Sequence, residues 1–263
     1  MPTLLPHTFT KALECQMRVV GALVLREMRV RFGRSQLGYL WAIAEPLAYI
    51  TAFSAMFYFI DRHPPFGNSM PLFFATGILP FHLFRNLANQ LAASFGANQA
   101  LLTYPIVHPI DTIISRTFLE VMTSTFIMLV VFGWLVLGTD APLPANIMRI
   151  IEAIALLSLL GFGLGLMSAV LITRFNAWQN LVRMLMTPMI FLSGVFYGLE
   201  TLPPNVRDII SWNPVIHGIE MFRQGYYTNY RGSEIDVLYL ALCALFLTFL
   251  ALAMERTVRG RIE

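Results

Sequence analysis

The most informative chemistry lies in GILPFHLFRNLANQ, residues 77–90, where His82, Arg85, Asn86 and Asn89 interrupt an apolar run. Their spacing of i, i+3, i+4 and i+7 puts them on one helix face. A charge near bilayer depth costs at least about 2.5 kcal/mol on insertion scales, so Arg85 needs a partner or water. Two readings follow. Arg85 pairs within a helix bundle or snorkels to an interface, or the four residues form a wet stripe along a path for polar cargo. Three neutral polar neighbours on one face are unnecessary for snorkelling, which favours the stripe. Arginine suits carboxylates and phosphates. Phe73, Phe74, Phe81 and Phe84 supply rings of the kind that cover sugar faces, so the mixture is compatible with an acidic glycan, although aromatics are common in any membrane bundle.

A second polar interruption falls in RVRFGRSQLGYLWAIAEPLA, residues 29–48. A basic ribbon turns apolar at Leu37, and Trp41, Glu45 and Pro46 follow. In a helix starting near Leu37, Glu45 stands about 12 Å along the axis. A carboxylate there pairs with an arginine, faces a polar path or is protonated. Pro46 frees the carbonyl of Ala42 and can kink the helix.

Hydrolytic and nucleotide chemistry find little support. Lys11 is the sole lysine and lies outside any glycine loop, so no GxxxxGK[ST] cradle exists. HExxH, GxSxG and zinc-spaced Cys/His sets are missing as well. GFGLG (161–165) lies inside an apolar helix pattern, and Gly161, Gly165 and Ala169 form a small-residue packing face. His217, Glu220 and Arg223 are the best trio for an embedded glycan ligase or polymerase, but their spacing also fits a charge-paired helix face.

The elements that must hold these residues follow from composition. Of 263 residues, 57% are hydrophobic and 13% charged, about half the charge of soluble domains. The class is an all-α polytopic membrane protein. Spans are expected at 37–60, 71–92, 112–137, 147–172, 180–198 and 236–254, each near the roughly 20 residues that cross a bilayer core. Arg18, Arg26, Arg29, Arg31 and Arg34 precede the first span, Arg174 and Arg183 flank the fourth connection, and Arg256, Arg259 and Arg261 follow the last. The positive-inside rule places all of these, and both termini, in the cytoplasm. The turn-rich connections 61–71 and 138–144 then face outward.

The longest outer connection, 198–236, contains two short apolar-faced pieces, 206–211 and 215–227, framed by Pro203-Pro204 and Asn213-Pro214. Such pieces lie in the interface or re-enter against protein. Residues 11–32 form an amphipathic helix with Leu13, Met17, Val20, Val24 and Met28 on its apolar face, either a surface anchor or a docking element. The chain divides into 1–36, an interface segment; 37–254, the spanning domain; and 255–263, a basic tail. The loop 94–111 has little charge and is expected to expose Leu101, Leu102 and Tyr104. Cys15 and Cys243 fall in different settings, so no disulfide framework is expected. The amino terminus shows no cleavable signal pattern.

With these residues in view, the chain resembles the membrane subunit of ABC-2 type exporters, and among them the capsular polysaccharide export permeases of Gram-negative bacteria. The resemblance covers almost the whole chain. It is carried by RFGRSQLGYLWAIAEP (31–46), GILPFHLFRN (77–86), YPIVHPID (104–111) and WNPVIHGIEMFRQGYY (212–227). O-antigen and teichoic acid exporters share the arginine, Leu-Gly, Trp and Pro skeleton, less often with Glu before Pro, and with small-molecule exporters they are the alternatives.

The resemblance implies an inner-membrane homodimer of six-span subunits that carries a lipid-linked, usually acidic polysaccharide. It implies two copies of an ATP-binding cassette subunit, with no cofactor in this chain and ATP and Mg on that partner. Periplasmic co-polymerase-like and outer-membrane polysaccharide export proteins would continue the path; no nucleic acid is expected. Arg26, Arg29 and Arg31 with Leu101, Leu102 and Tyr104 would touch the ATPase. His82, Arg85, Asn86, Asn89, Glu45 and Trp41 would line the path, and Trp212, Arg223, Tyr226 and Tyr227 the outer mouth.

Overall fold

The computed structural model describes residues 9–32, 38–104, 107–139, 141–175, 177–230, 232 and 234–262, without the side chains of 9–13, 32, 38, 39 and 258–262. Arg34, Leu37 and residues 105–106 of YPIVHPID lie outside the described residues, as does the side chain of Leu13. The described residues form helices and connections, with no strand. In chain order the helices are α1 (Phe9–Phe32), α2 (Gly38–Phe59), α3 (Met70–Ala92), α4 (Ser94–Ala97), α5 (Gln99–Leu102), α6 (Pro109–Thr139), α7 (Ile147–Arg174), α8 (Ala177–Leu192), α9 (Pro204–Ile210), α10 (Pro214–Tyr226) and α11 (Val237–Ile262).

Of the described helices, α2, α6, α7 and α11 are long and apolar enough to cross a membrane. That supports a multi-pass membrane protein. Helix α3 differs because its polar stripe lowers its hydropathy, and 17 of its 23 residues are buried, so protein rather than solvent or lipid surrounds it. It packs against α2, α6, α7 and α10. Ser69 caps it by accepting from Leu72 N at 3.5 Å, with Pro71 in the first turn.

Small residues let α7 approach closely on two sides. A Cβ on Gly165 would stand 2.7 Å from Leu91 Cβ and 3.0 Å from the Ala88 carbonyl of α3, and one on Gly161 3.1 Å from the Phe84 carbonyl. Gly163 lies against the α11 backbone, where a Cβ would meet Thr248 N at 2.8 Å. The GFGLG run is therefore a packing device between three helices.

Several sequence expectations need correction. The fifth apolar stretch does not run to 198: α8 ends at Leu192 and the chain turns at Gly194, whose φ is +74°. The physical reason is Arg223, which binds the carbonyls of Gly194, Val195 and Tyr197 that a longer helix would have used.

Helix α1 packs on the bundle along a face beside its apolar stripe, which stays partly exposed. Leu23 is buried against the bundle, whereas Met17 is 70% exposed. Polar contacts with the neighbouring elements set this orientation. Gln16 Nε2 donates to Asp111 Oδ1 at 2.7 Å, Arg26 to Asn98 Oδ1 at 2.7 Å, Arg116 pairs with Glu27 at 3.1 Å, and Arg31 pairs with the buried Glu120. In the connection after α3, the short helices α4 and α5 bury Leu102 rather than exposing it; Leu101 is half-buried and Tyr104 is 60% exposed.

Candidate functional site

The polar stripe of α3 meets Glu45 of α2. Arg85 Nη2 lies 3.0 Å from Glu45 Oε1, and its Nε and Nη2 each stand 3.3 Å from Asn86 Oδ1. The two oddities of the sequence, an acid and a base in apolar helices, are thus partners 40 residues apart. The pair is not sealed: the Glu45 side chain is 52% exposed and that of Arg85 20%.

Arg85 faces a groove of about 500 Å³ between α2, α3 and α8. Asn86, Asn89 and Gln90 line its α3 side, Tyr49 and Phe53 its α2 side, and Arg183, Thr187 and Phe191 its α8 side, with Phe81 among the remaining lining residues. Glu45 itself lines a smaller cavity of about 60 Å³, with Arg31, His82, Asn86, Glu120 and Ser124 among others. The stripe therefore divides. Arg85 and Asn89 reach the groove, Asn86 touches both spaces, and His82 faces only the small cavity. His82 is buried with its ring edge-on to Tyr49 at 5.4 Å, and its Nε2 has no hydrogen-bond partner. Trp41, 72% exposed, lines neither space.

Each groove helix carries an internal proline: Pro46 in α2, Pro80 in α3 and Pro188 in α8. Helix α2 nevertheless continues through Pro46 to Phe59. Each proline removes an N–H from its helix ladder, leaving a carbonyl four residues earlier without its usual donor.

What the groove can do chemically is bind. Two guanidinium groups offer paired N–H donors to carboxylates or phosphates, the amides offer further hydrogen bonds, and the rings present flat apolar faces. Arg183 was legible in the sequence only as a topology marker, and its role in the groove was missed. A signal did exist: Arg183, Met186, Thr187 and Ile190 share one face of α8 at i, i+3, i+4 and i+7. Tyr49, Phe53 and Phe191 carried no comparable signal, because apolar helices are rich in such rings.

The residues expected at the outer mouth do not gather at one surface. Trp212 is 78% exposed, but Arg223, Tyr226 and Tyr227 are buried. Arg223 Nη1 donates to the carbonyls of Gly194 at 2.6 Å and Tyr197 at 2.8 Å and to Glu220 Oε1 at 3.2 Å; Nη2 donates to Val195 O at 3.0 Å. The guanidinium also lies over Phe73, 4.5 Å from the ring centre. A Cβ on Gly77 would come within 2.9 Å of Nη2, so this glycine is what lets α3 approach the arginine.

Glu220 accepts from Leu199 N and from the Tyr230 hydroxyl. Burial pushes its carboxyl above the usual range, opposed by Arg223. Burial also pushes the Tyr226 and Tyr227 hydroxyls up to about 12. His217 Nδ1 accepts from Asp236 N at 3.2 Å, which assigns the proton to Nε2, 2.8 Å from the Ser211 carbonyl. The trio that sequence offered for catalysis thus binds its own backbone and braces the segment between α8 and α11.

The interface residues expected to touch an ATPase sit on α1 and near α5. Arg26 and Arg31 are engaged within the chain, while Arg29 is exposed. Arg26 and Arg29 also border an open surface groove on α1 with Ala22, Leu25 and Val30.

With this geometry in place, comparison with known proteins is informative. The family model for the ABC-2 type transporter matches residues 18–227. The chain is 34% identical over 246 residues to the polysialic acid transport protein KpsM of Escherichia coli, covering 93% of this chain and 95% of that protein. It is 32% identical over 256 residues to the capsule polysaccharide export inner-membrane protein CtrC of Neisseria meningitidis, covering 97% of each. It is 31% identical over 257 residues to the capsule polysaccharide export inner-membrane protein BexB of Haemophilus influenzae, again covering 97% of each. The match runs through the polar stripe of α3, Glu45 of α2 and the Arg223 brace, and the chain belongs to the ABC-2 type transporter family.

Proposed function

We propose that this chain is the membrane permease subunit of an ATP-driven exporter that moves a lipid-linked, acidic capsular polysaccharide across the bacterial inner membrane. The observation that carries this reading is the groove joining Arg85 and Arg183 with aromatic walls, in a chain similar over nearly its whole length to capsule export proteins. At rest Glu45 neutralises Arg85. A carboxylate or phosphate of the polymer takes the place of Glu45, and the next repeat displaces it in turn. Exposure of Glu45 supports this exchange, because a polymer group can reach the pair without opening the helix bundle.

Helices α2, α3, α6, α7, α8 and α11 make six spans, with both termini in the cytoplasm. Helix α3 can carry polar residues because the other helices enclose it. Helix α8 is about 24 Å long at 1.5 Å per residue, short of a core of roughly 30 Å. Its exposed Met184, Leu185 and Phe191 beside the groove fit a homodimer in which two copies complete the path on the axis. The ATPase is a separate cytoplasmic subunit that binds α1 and the α4–α5 connection, and periplasmic and outer-membrane export proteins continue the route. The Arg31–Glu120 pair ties α1 to α6 at the edge of the small cavity that also holds Glu45, so movement of α1 reaches the groove through one shared space.

Deleting the gene from its host tests the function. Acidic polymer is expected to disappear from the cell surface while lipid-linked polymer accumulates inside, measured by fractionation and glycan analysis. Undiminished surface polymer would contradict the reading.

A further inference from the structure

Helix α2 is held unevenly along its length. From Pro46 onward it seats on the bundle through Pro46, Ile50 and Ser54, which are buried at i, i+4 and i+8. Phe53 and Phe57 add to this half by packing on Phe74 of α3, with ring centres 5.9 and 5.2 Å apart. Toward α1 the seating ends. None of residues 40–45 is buried, and Leu40 and Trp41 are 61% and 72% exposed. The ion pair that ties this end to α3 is Glu45–Arg85.

Two further features fall on the same turn. Pro46 follows Glu45 directly inside the helix and leaves the Ala42 carbonyl without its ladder donor, so bending is easiest in the turn that ends at the pair. The small cavity lies against this turn, because Ala42, Glu45 and Pro46 line it together with Arg31 of α1 and Glu120 of α6. Its volume of about 60 Å³ leaves room for a few waters. The turn can therefore shift into it without displacing packed side chains, which a filled interior would forbid. Arg31 and Glu120 are the ion pair that joins α1 to α6, so a shift into the cavity meets the attachment of α1.

We infer that the Glu45–Arg85 pair is a cargo-sensitive latch, which restrains the partner ATPase until an anionic group of the polymer occupies Arg85. The inference rests on the reading of the Arg85 groove as the cargo site. A carboxylate or phosphate that takes the guanidinium releases Glu45. Residues 40–45 then bend at Pro46 into the small cavity, press on the Arg31–Glu120 attachment and move α1, where the ATPase binds. One anion replaces another on Arg85, so the guanidinium is paired in both states. A neutral polymer cannot make that exchange, and it leaves the latch closed.

The test measures ATP hydrolysis by the complex of this chain with its ATPase subunits, purified and reconstituted in lipid, with and without the lipid-linked polymer extracted from the deletion strain. Polymer is expected to speed the wild-type complex roughly two- to fivefold, the population shift that opening one partly exposed ion pair supports. Glu45→Ala opens the latch permanently. Its rate without polymer should already match that of the stimulated wild type, and polymer should add nothing. Pro46→Ala restores the ladder hydrogen bond and stiffens the hinge, so the basal rate should stay at the wild-type value while stimulation is lost. Should Glu45→Ala fail to fold, Pro46→Ala carries the test, because alanine favours the helix. A wild-type rate indifferent to polymer, a Glu45→Ala rate equal to the wild-type basal rate, or full stimulation of Pro46→Ala would each overturn the latch. Those results leave the export reading standing. That reading, and the latch with it, fails instead if deleting the gene leaves surface polymer undiminished.

Discussion

Replacing Arg223 with Met should prevent the chain from accumulating as a folded membrane protein. The substitution keeps much of the side-chain volume but removes donors that satisfy three backbone carbonyls and a buried carboxylate. Breaking a fully buried ion pair from one side destabilises by about 3–5 kcal/mol, a large share of the total stability of a domain. Arg223→Lys should rescue little, because a single ammonium cannot reproduce a planar fork that reaches Gly194, Val195 and Tyr197 together. Glu220→Gln should be milder, since its amide can still accept from Leu199 N. Membrane abundance and the thermal midpoint in detergent check the series. Wild-type abundance and midpoint with altered export in Arg223→Met would instead assign this arginine a role in gating.

Arg85 should behave in the opposite way. Arg85→Ala is expected to reduce export of acidic polymer at least about tenfold while leaving abundance and ATPase association unchanged, because a charge-assisted hydrogen bond contributes about 1.5–3 kcal/mol. Its native partner separates binding from bracing. If the pair only braces α2 on α3, Glu45→Gln should impair export as much as Arg85→Ala. If Arg85 serves the cargo, Glu45→Gln frees it and export persists. The comparison is informative because both side chains are partly exposed and the Asn86 amide stays beside Arg85 when Glu45 is neutralised. Quantifying surface polymer in the two variants at equal protein level decides between them.

The helices were largely legible in the sequence because hydrophobic length and proline or glycine breaks are local signals. Helices α3, α6 and α7 begin and end within about three residues of the expected stretches, within the usual error of boundary assignment. The end of α8 was not legible, since it is set by Arg223, which lies 29 residues beyond Gly194. Which face of α1 meets the bundle was hidden for a related reason. Glu27 and Arg31 look like parts of a solvated face until Arg116 and Glu120 of α6 are placed beside them. At the site, periodicity exposed the α3 stripe, but not which of its members face the same space. His82 shares the face of Arg85 in a helical projection, yet lines the small cavity with Glu45, whereas Arg85 lines the groove. Arg183 was read only for its charge, and its i, i+3, i+4 and i+7 companions become meaningful once α8 is seen opposite α3.

The most direct test of the account is where the polymer lies during export. A photo-crosslinking amino acid placed at Asn89, on the groove side of α3, should capture acidic polysaccharide in cells actively making capsule. The same probe at Leu129, 69% exposed on the far flank, should capture lipid instead. Capture of polymer at 89 and not at 129, lost when the ATPase is inactivated, is the predicted result. Polymer captured equally at both positions, or at neither while export proceeds, would contradict the placement of the path in the groove between α2, α3 and α8.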